Sequence, residues 1–174
     1  MIIRNFDQLA TTPLRRQAML IGEAGLSAIA PKEIISRYVD YNKQSGVLTV
    51  RGQKFNTNQY KRVMLIGAGK TALAAVSEIH GLLGERIDCG YVIDLVQGQL
   101  EKMICRVGTH PYPTTANVAA TEELMSMLEN CTEQDLVIAV IGGGGSSLLC
   151  SPNELTCDEE KSIIAALGKS GASI

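Results

Sequence analysis

Val63-Met64-Leu65-Ile66, followed at once by Gly67-Ala68-Gly69 and then Lys70, is the stretch that decides the fold. Four consecutive apolar residues without polar alternation read as a strand covered on both faces. Gly67-Ala68-Gly69 reads as a tight turn. From Lys70 to Leu83, apolar positions recur at Leu73, Val76 and Ile79 or His80, which is helical spacing. Strand, glycine turn and helix together open a parallel α/β unit.

The same rhythm continues downstream. Tyr91-Val92-Ile93 and Met103-Ile104-Cys105 predict two further strands. His110-Pro111-Tyr112-Pro113 predicts a stiff extended loop, because each proline restricts itself and the residue before it. Thr114 or Thr115 caps a helix to about Asn130, with Val118, Thr121, Leu124, Met125 and Leu128 on one side. Leu136-Val137-Ile138-Ala139-Val140-Ile141 is the strongest strand, and Gly142 to Gly145 is the turn after it. Thr156-Cys157-Asp158-Glu159 is a capping box opening a last helix with Ile163, Ile164 and Leu167.

Upstream, Thr12 caps a helix with Pro13 at its first position. Leu14, Ala18, Ile21, Gly25 and Ile29 fall near one face of it. Ala30-Pro31 breaks that helix and starts another through about Tyr38. Val47–Val50, a turn at Arg51-Gly52, and Gln53–Phe55 predict a small hairpin.

Strands alternating with helices give the fold class: a three-layer αβα, Rossmann-like architecture with a mainly parallel sheet. Val63–Ile66 and Leu136–Ile141 are expected to be its central strands. Ligands bind such sheets beyond the carboxyl ends of the strands, so both glycine turns are expected on one rim. Residues 1–174 are expected to form one domain, with a helical and hairpin lead-in over 1–60 and the core over 61–174. The last residues, Ser170-Gly171-Ala172-Ser173-Ile174, bring no closing strand or charged tail, which reads as a cut.

Composition narrows the function classes. The 174 residues carry a formal charge of −2 and are 45% hydrophobic, so disorder is excluded. A near-neutral charge and 4% aromatic residues disfavour a nucleic-acid partner. No apolar run is long enough to span a membrane. Met1 to Arg16 lacks an apolar export signal, so a cytoplasmic location is expected. The five cysteines (Cys89, Cys105, Cys131, Cys150, Cys157) form no CxxC pair and are accompanied by two histidines. Neither a metal site nor a disulfide framework is expected from them.

Three segments could carry chemistry. In the first, Gly67-Ala68-Gly69-Lys70-Thr71-Ala72, a P-loop would need glycine where Met64 stands. The dinucleotide pattern Gly-x-Gly-x-x-Ala does match, with Asp94 a loose candidate for the ribose-binding acid. That pattern needs no lysine, so Lys70 suggests work on a phosphate or carboxylate; the bland alternative is a solvated lysine at a helix start.

The second is Gly142-Gly143-Gly144-Gly145-Ser146-Ser147. Four glycines cost more chain entropy than a plain turn justifies. They let the backbone approach a ligand and form an N–H nest for oxyanions. The third, Gly108-Thr109-His110-Pro111, offers His110 to orient a substrate hydroxyl or act as a base. It could equally be a structural histidine holding the loop. Gly144 stands where a hydrolase elbow would need serine, so no serine triad is expected.

Taken together these motifs resemble one family. Tyr60–Lys70 resembles the segment around its GAGKA turn, Gly108–Pro113 is similar to its GxHPxP loop, and Ile141–Leu149 is similar to its SGGGSALL loop. The family is the glycerate 2-kinases whose halves are often called the DUF4147 and MOFRL domains. Some members are described as hydroxypyruvate reductases. The resemblance runs from about Leu14 to Ile174. Gly142 and Ser147 replace a serine and an alanine of the glycine loop, and Thr114-Thr115-Ala116-Asn117 replaces an Asp-Glu-Ala-Gly type run. Family members are also more than twice as long.

The resemblance implies phosphorylation of D-glycerate to 2-phosphoglycerate by ATP with Mg²⁺. Lys70 would be the catalytic residue, neutralising charge near the transferred phosphoryl or the carboxylate. Gly67, Gly69, His110, Gly143, Gly144, Gly145 and Ser146 would bind substrate or phosphate. No metal ligand is identified. Further active-site groups would come from a C-terminal domain or a second chain. The alternatives are an NAD-binding oxidoreductase of the hydroxypyruvate reductase kind and a non-catalytic ligand-binding fragment.

Overall fold

The computed structural model describes residues 2–152 and 154–171; the last three residues of the sequence, on which the reading of a cut partly rests, lie outside them. The chain begins with a single turn, α1 (Phe6–Leu9), then α2 (Pro13–Ala28) and α3 (Pro31–Tyr38). Both long helices start on proline, and the Thr12 hydroxyl accepts the N–H of Arg15. Three short strands follow: β1 (Val39–Asn42), β2 (Val47–Val50) and β3 (Gln53–Asn56). They form an antiparallel sheet in that order, so the predicted hairpin gains a third strand.

The parallel unit comes next. It comprises β4 (Arg62–Ala68), α4 (Ala72–Leu83), β5 (Cys89–Asp94), β6 (Met103–Val107), α5 (Thr115–Leu128), β7 (Asp135–Ile141), α6 (Gly145–Leu148) and α7 (Cys157–Ser170). The sheet order is β6-β5-β4-β7 and every pairing is parallel. This is the expected α/β architecture, with helices on both faces of the sheet.

Side-chain alternation divides the core. Leu65 and Val92 face α4, where they pack with Val76, Ile79 and Leu83. Ile66, Tyr91 and Ile93 face the other way, toward Ala120 and Leu124 of α5. Leu48 of the small sheet is buried in the α4-side cluster, so the lead-in shares the core.

Two expectations are corrected. β4 is central, but β7 pairs with β4 alone and is an edge strand among the described residues. Its Ile138 and Val140 pack toward α4, whereas Val137, Ala139 and Ile141 are exposed. A continuous apolar run reports what a strand can bury; here no described element covers its second face. The predicted apolar face of α2 is likewise bare, with Leu14 76% and Ile21 74% exposed.

Candidate functional site

The register of β4 against β7 places Ala68 opposite Ile141. The two glycine turns therefore leave the sheet side by side on one rim, as expected. Their backbones are bonded to each other: Gly142 N–H donates to Ala68 O and Lys70 N–H to Gly143 O, both at 2.8 Å. Gly69 has φ +132°, and a Cβ there would lie 2.7 Å from the backbone of Gly142. A Cβ on Gly142 would lie 2.9 Å from Lys70 O. Glycine at both positions lets the turns touch; Gly142, in the four-glycine segment but not among the expected binding residues, has this close-approach role.

Above this seam three groups converge. Gly144 has φ +81°, and a Cβ there would meet Lys70 Cε at 3.3 Å, His110 Cδ2 at 2.7 Å and His110 Nε2 at 3.0 Å. The lysine stem and the imidazole thus both close on Gly144. Among the described residues, neither the Lys70 ammonium nor the His110 ring makes a hydrogen bond or ion pair within the protein, and the N–H groups of Gly143, Gly144 and Ser146 are likewise unbonded. A cation and several free N–H donors around one glycine can receive an anion. The exposed Ser146 stands beside them on the rim.

Other candidates are placed differently. Gly67 lies inside β4, in register with Val92 and Val140. A Cβ there would meet Val76 at 2.6 Å, so its place in the structure is to let α4 pack closely. Gly145 is buried at the start of α6 and its N–H donates to Gly142 O. His110 does not hold its loop. Asn117 does, through bonds to Thr109 and Thr114, and Ser147 Oγ adds a 2.9 Å bond to Pro111 O.

Asp94 is 3% exposed, and its carboxylate accepts the N–H groups of Leu73 and Leu95. It is spent on the start of α4, which removes the acid that a dinucleotide site would need for its ribose. His80 is satisfied by Glu101 O at 2.9 Å. Asp135 lies at the opposite end of the sheet, gripped by the Arg62 guanidinium. No cluster of His, Cys, Asp or Glu among the described residues could hold a metal ion. The rim groups of this chain, a lysine, an imidazole and N–H donors, do not fit Mg²⁺, which takes carboxylate and phosphate oxygens. No described helix is long and apolar enough to cross a membrane.

These features define an open parallel α/β protein whose rim gathers a lysine, an imidazole and backbone N–H groups without partners among the described residues. The chain belongs to the DUF4147 family, a domain of unknown function, whose profile matches residues 17–174. It is 29% identical over 177 residues to a glycerate 2-kinase of Picrophilus torridus, covering 99% of this chain and 40% of that protein. It is 31% identical over 117 residues to a D-glycerate 2-kinase of Thermotoga maritima, covering 65% of this chain and 28% of that one. A solved structure of a Pyrococcus horikoshii protein shares the fold, with a TM-score of 0.76 and 22% identity, over 94% of this chain and 37% of that chain. The chain thus spans about two fifths or less of the length of these relatives.

Proposed function

We propose that this chain supplies the phosphate-receiving half of a kinase that transfers the γ-phosphoryl of ATP to the 2-hydroxyl of D-glycerate, giving 2-phosphoglycerate. The observation that carries the reading is the convergence of Lys70 and His110 on Gly144 above two interlocked glycine turns. The names of the relatives supply the substrate. Phosphoryl transfer asks the protein for positioning and charge neutralisation more than for covalent chemistry. Lys70 offsets negative charge on the phosphoryl oxygens or the carboxylate, and the N–H groups of Gly143 and Gly144 orient those oxygens. His110 borders the hydroxyl side. Mg²⁺ accompanies ATP in this reading, and the rim groups of this chain are not ones that would hold it. A cytoplasmic setting goes with this reading.

That remaining polypeptide, the rest of the length seen in the relatives or a second chain, docks along β7. Its edge is free among the described residues, Val137, Ala139 and Ile141 are bare, and an apolar hollow lined by Ile29, Ile34, Ile35, Val140 and Ile141 lies at its end. The test measures 2-phosphoglycerate formed from ATP and glycerate by this chain, alone and with the missing part. Weak or no turnover alone and turnover when completed is the expected result. Robust turnover by the chain alone would show that its site is complete. ATP is expected to raise the melting temperature and NAD to leave it unchanged; the reverse would restore the oxidoreductase reading.

A further inference from the structure

Asn117 is fully buried in the first turn of α5, and both of its amide groups are engaged. Oδ1 accepts the N–H of Thr109 at 3.0 Å and the N–H of Thr114 at 3.2 Å. Nδ2 donates to Thr109 O at 2.9 Å and to Ser147 O at 2.8 Å. The orientation of the amide is forced, because only the NH₂ end can face two carbonyls. The side chain therefore grips both ends of the rim: the strap that carries His110 and the short helix that follows Gly144.

We propose that Asn117 is a positioning residue that locks the His110 strap to the glycine loop and so sets the width of the cradle between Lys70, His110 and Gly144. This rests on the anion-binding reading for its purpose but not for its geometry. The Ser147 Oγ to Pro111 O bond is a second tie across the same gap. It is exposed and replaceable by water, whereas Asn117 is sealed from solvent. A buried polar group with all its bonds made specifies one arrangement of the pieces it joins.

Asn117→Asp tests the lock. It keeps the shape and the Oδ1 acceptor, but turns an oxygen toward the carbonyls of Thr109 and Ser147. Amide hydrogen exchange on the 174-residue chain is the first measurement. Exchange at the bonded amides of the two segments, Gly108 and Thr109 on the strap and Gly145, Ser147 and Leu148 after the glycine loop, is expected to speed up together, at least tenfold, while β4 and β5 stay protected. Unchanged exchange in either segment would overturn the lock.

Should the variant not fold, the wild-type chain answers. The Asn117 side-chain NH₂ protons are expected to exchange as slowly as the amides of those two segments and in step with them. Fast or independent exchange overturns the proposal. ATP affinity by calorimetry, well below the melting temperature, separates the lock from its purpose. Tenfold weaker binding in Asn117→Asp supports both. Equal binding in a folded variant overturns the claim that the lock sets the cradle and leaves the anion reading standing. No binding by the wild type, with the two segments still opening together, overturns the anion reading and leaves the lock.

Discussion

The two ends of the same sheet are built by opposite rules. At the amino end, charge is matched. Arg62 holds Asp135 through two bonds of 2.8 Å, and Asp135 also accepts the N–H of Thr132. Arg86 pairs with Asp88, whose carboxylate caps the N–H of Val63. At the carboxyl end, Lys70, His110 and the N–H groups of Gly143 and Gly144 have no partner within the described protein. Paired charge ties the strands at one end, and the Lys70 ammonium is unpaired among the described residues at the other. An α/β sheet can afford this because its strands are anchored from one end while ligands approach the other.

Gly69→Ala is the largest way to break the contrast. The new Cβ meets backbone, not a movable side chain, at 2.7 Å, and φ is +132°. Strain and overpacking together should cost on the order of 3 kcal/mol. Because the two turns touch, denaturant unfolding should show that loss together with lost ATP binding. A variant of wild-type stability would mean that the turns are free to separate.

Lys70→Ala should do the reverse, removing function and sparing the fold. The side chain is exposed and has no hydrogen-bond or ion-pair partner among the described residues. Turnover of the completed enzyme should fall by roughly 10² or more if the lysine stabilises transition-state charge, about 2.7 kcal/mol. The melting temperature of the unliganded chain should hold. Unchanged turnover would remove Lys70 from the mechanism.

How far the sequence could be read also differs by region. β4, β5 and α4 were legible because they are buried, and burial imposes either a continuous apolar run or a 3.6-residue period. β7 was legible as a strand but not as an edge, since its place depends on which partner is present, and that is not local information. β1 was hidden. Val39-Asp40-Tyr41-Asn42 is four residues long, follows α3 without a break, and alternates half-buried with exposed positions. In the site, Lys70, His110 and Gly144 stood out as unusual residues beside glycines. Asn117 did not, because an asparagine near a helix start is commonplace and its six neighbouring polar atoms come from two separated segments, the 109–114 strap and Ser147. Glycine spacing suggested that Gly67 belongs to the turn, whereas close helix packing uses the same residue for a different reason.

Asp135→Asn, the smallest effect, tests the paired end through pH. The Arg62 guanidinium and the N–H of Thr132 hold the Asp135 carboxyl well below the usual range for aspartate. In the unfolded chain it returns to about 3.9. A carboxyl with a depressed folded pKa gives stability that is fully present above the unfolded value and is lost as pH falls through the folded one. The wild type should therefore melt higher than Asp135→Asn at pH 7, by a modest margin, since Arg62 is 41% exposed and screened by solvent. The gap should begin to close as pH drops below about 4 and shrink further toward pH 2. Comparing the two proteins removes the acid sensitivity contributed by Glu123 and Glu159, whose pKa values are also lowered. ATP affinity at neutral pH should be the same in both. A gap independent of pH would mean that the ion pair does not set the difference, and weaker ATP binding in the variant would mean that the two ends of the sheet are coupled.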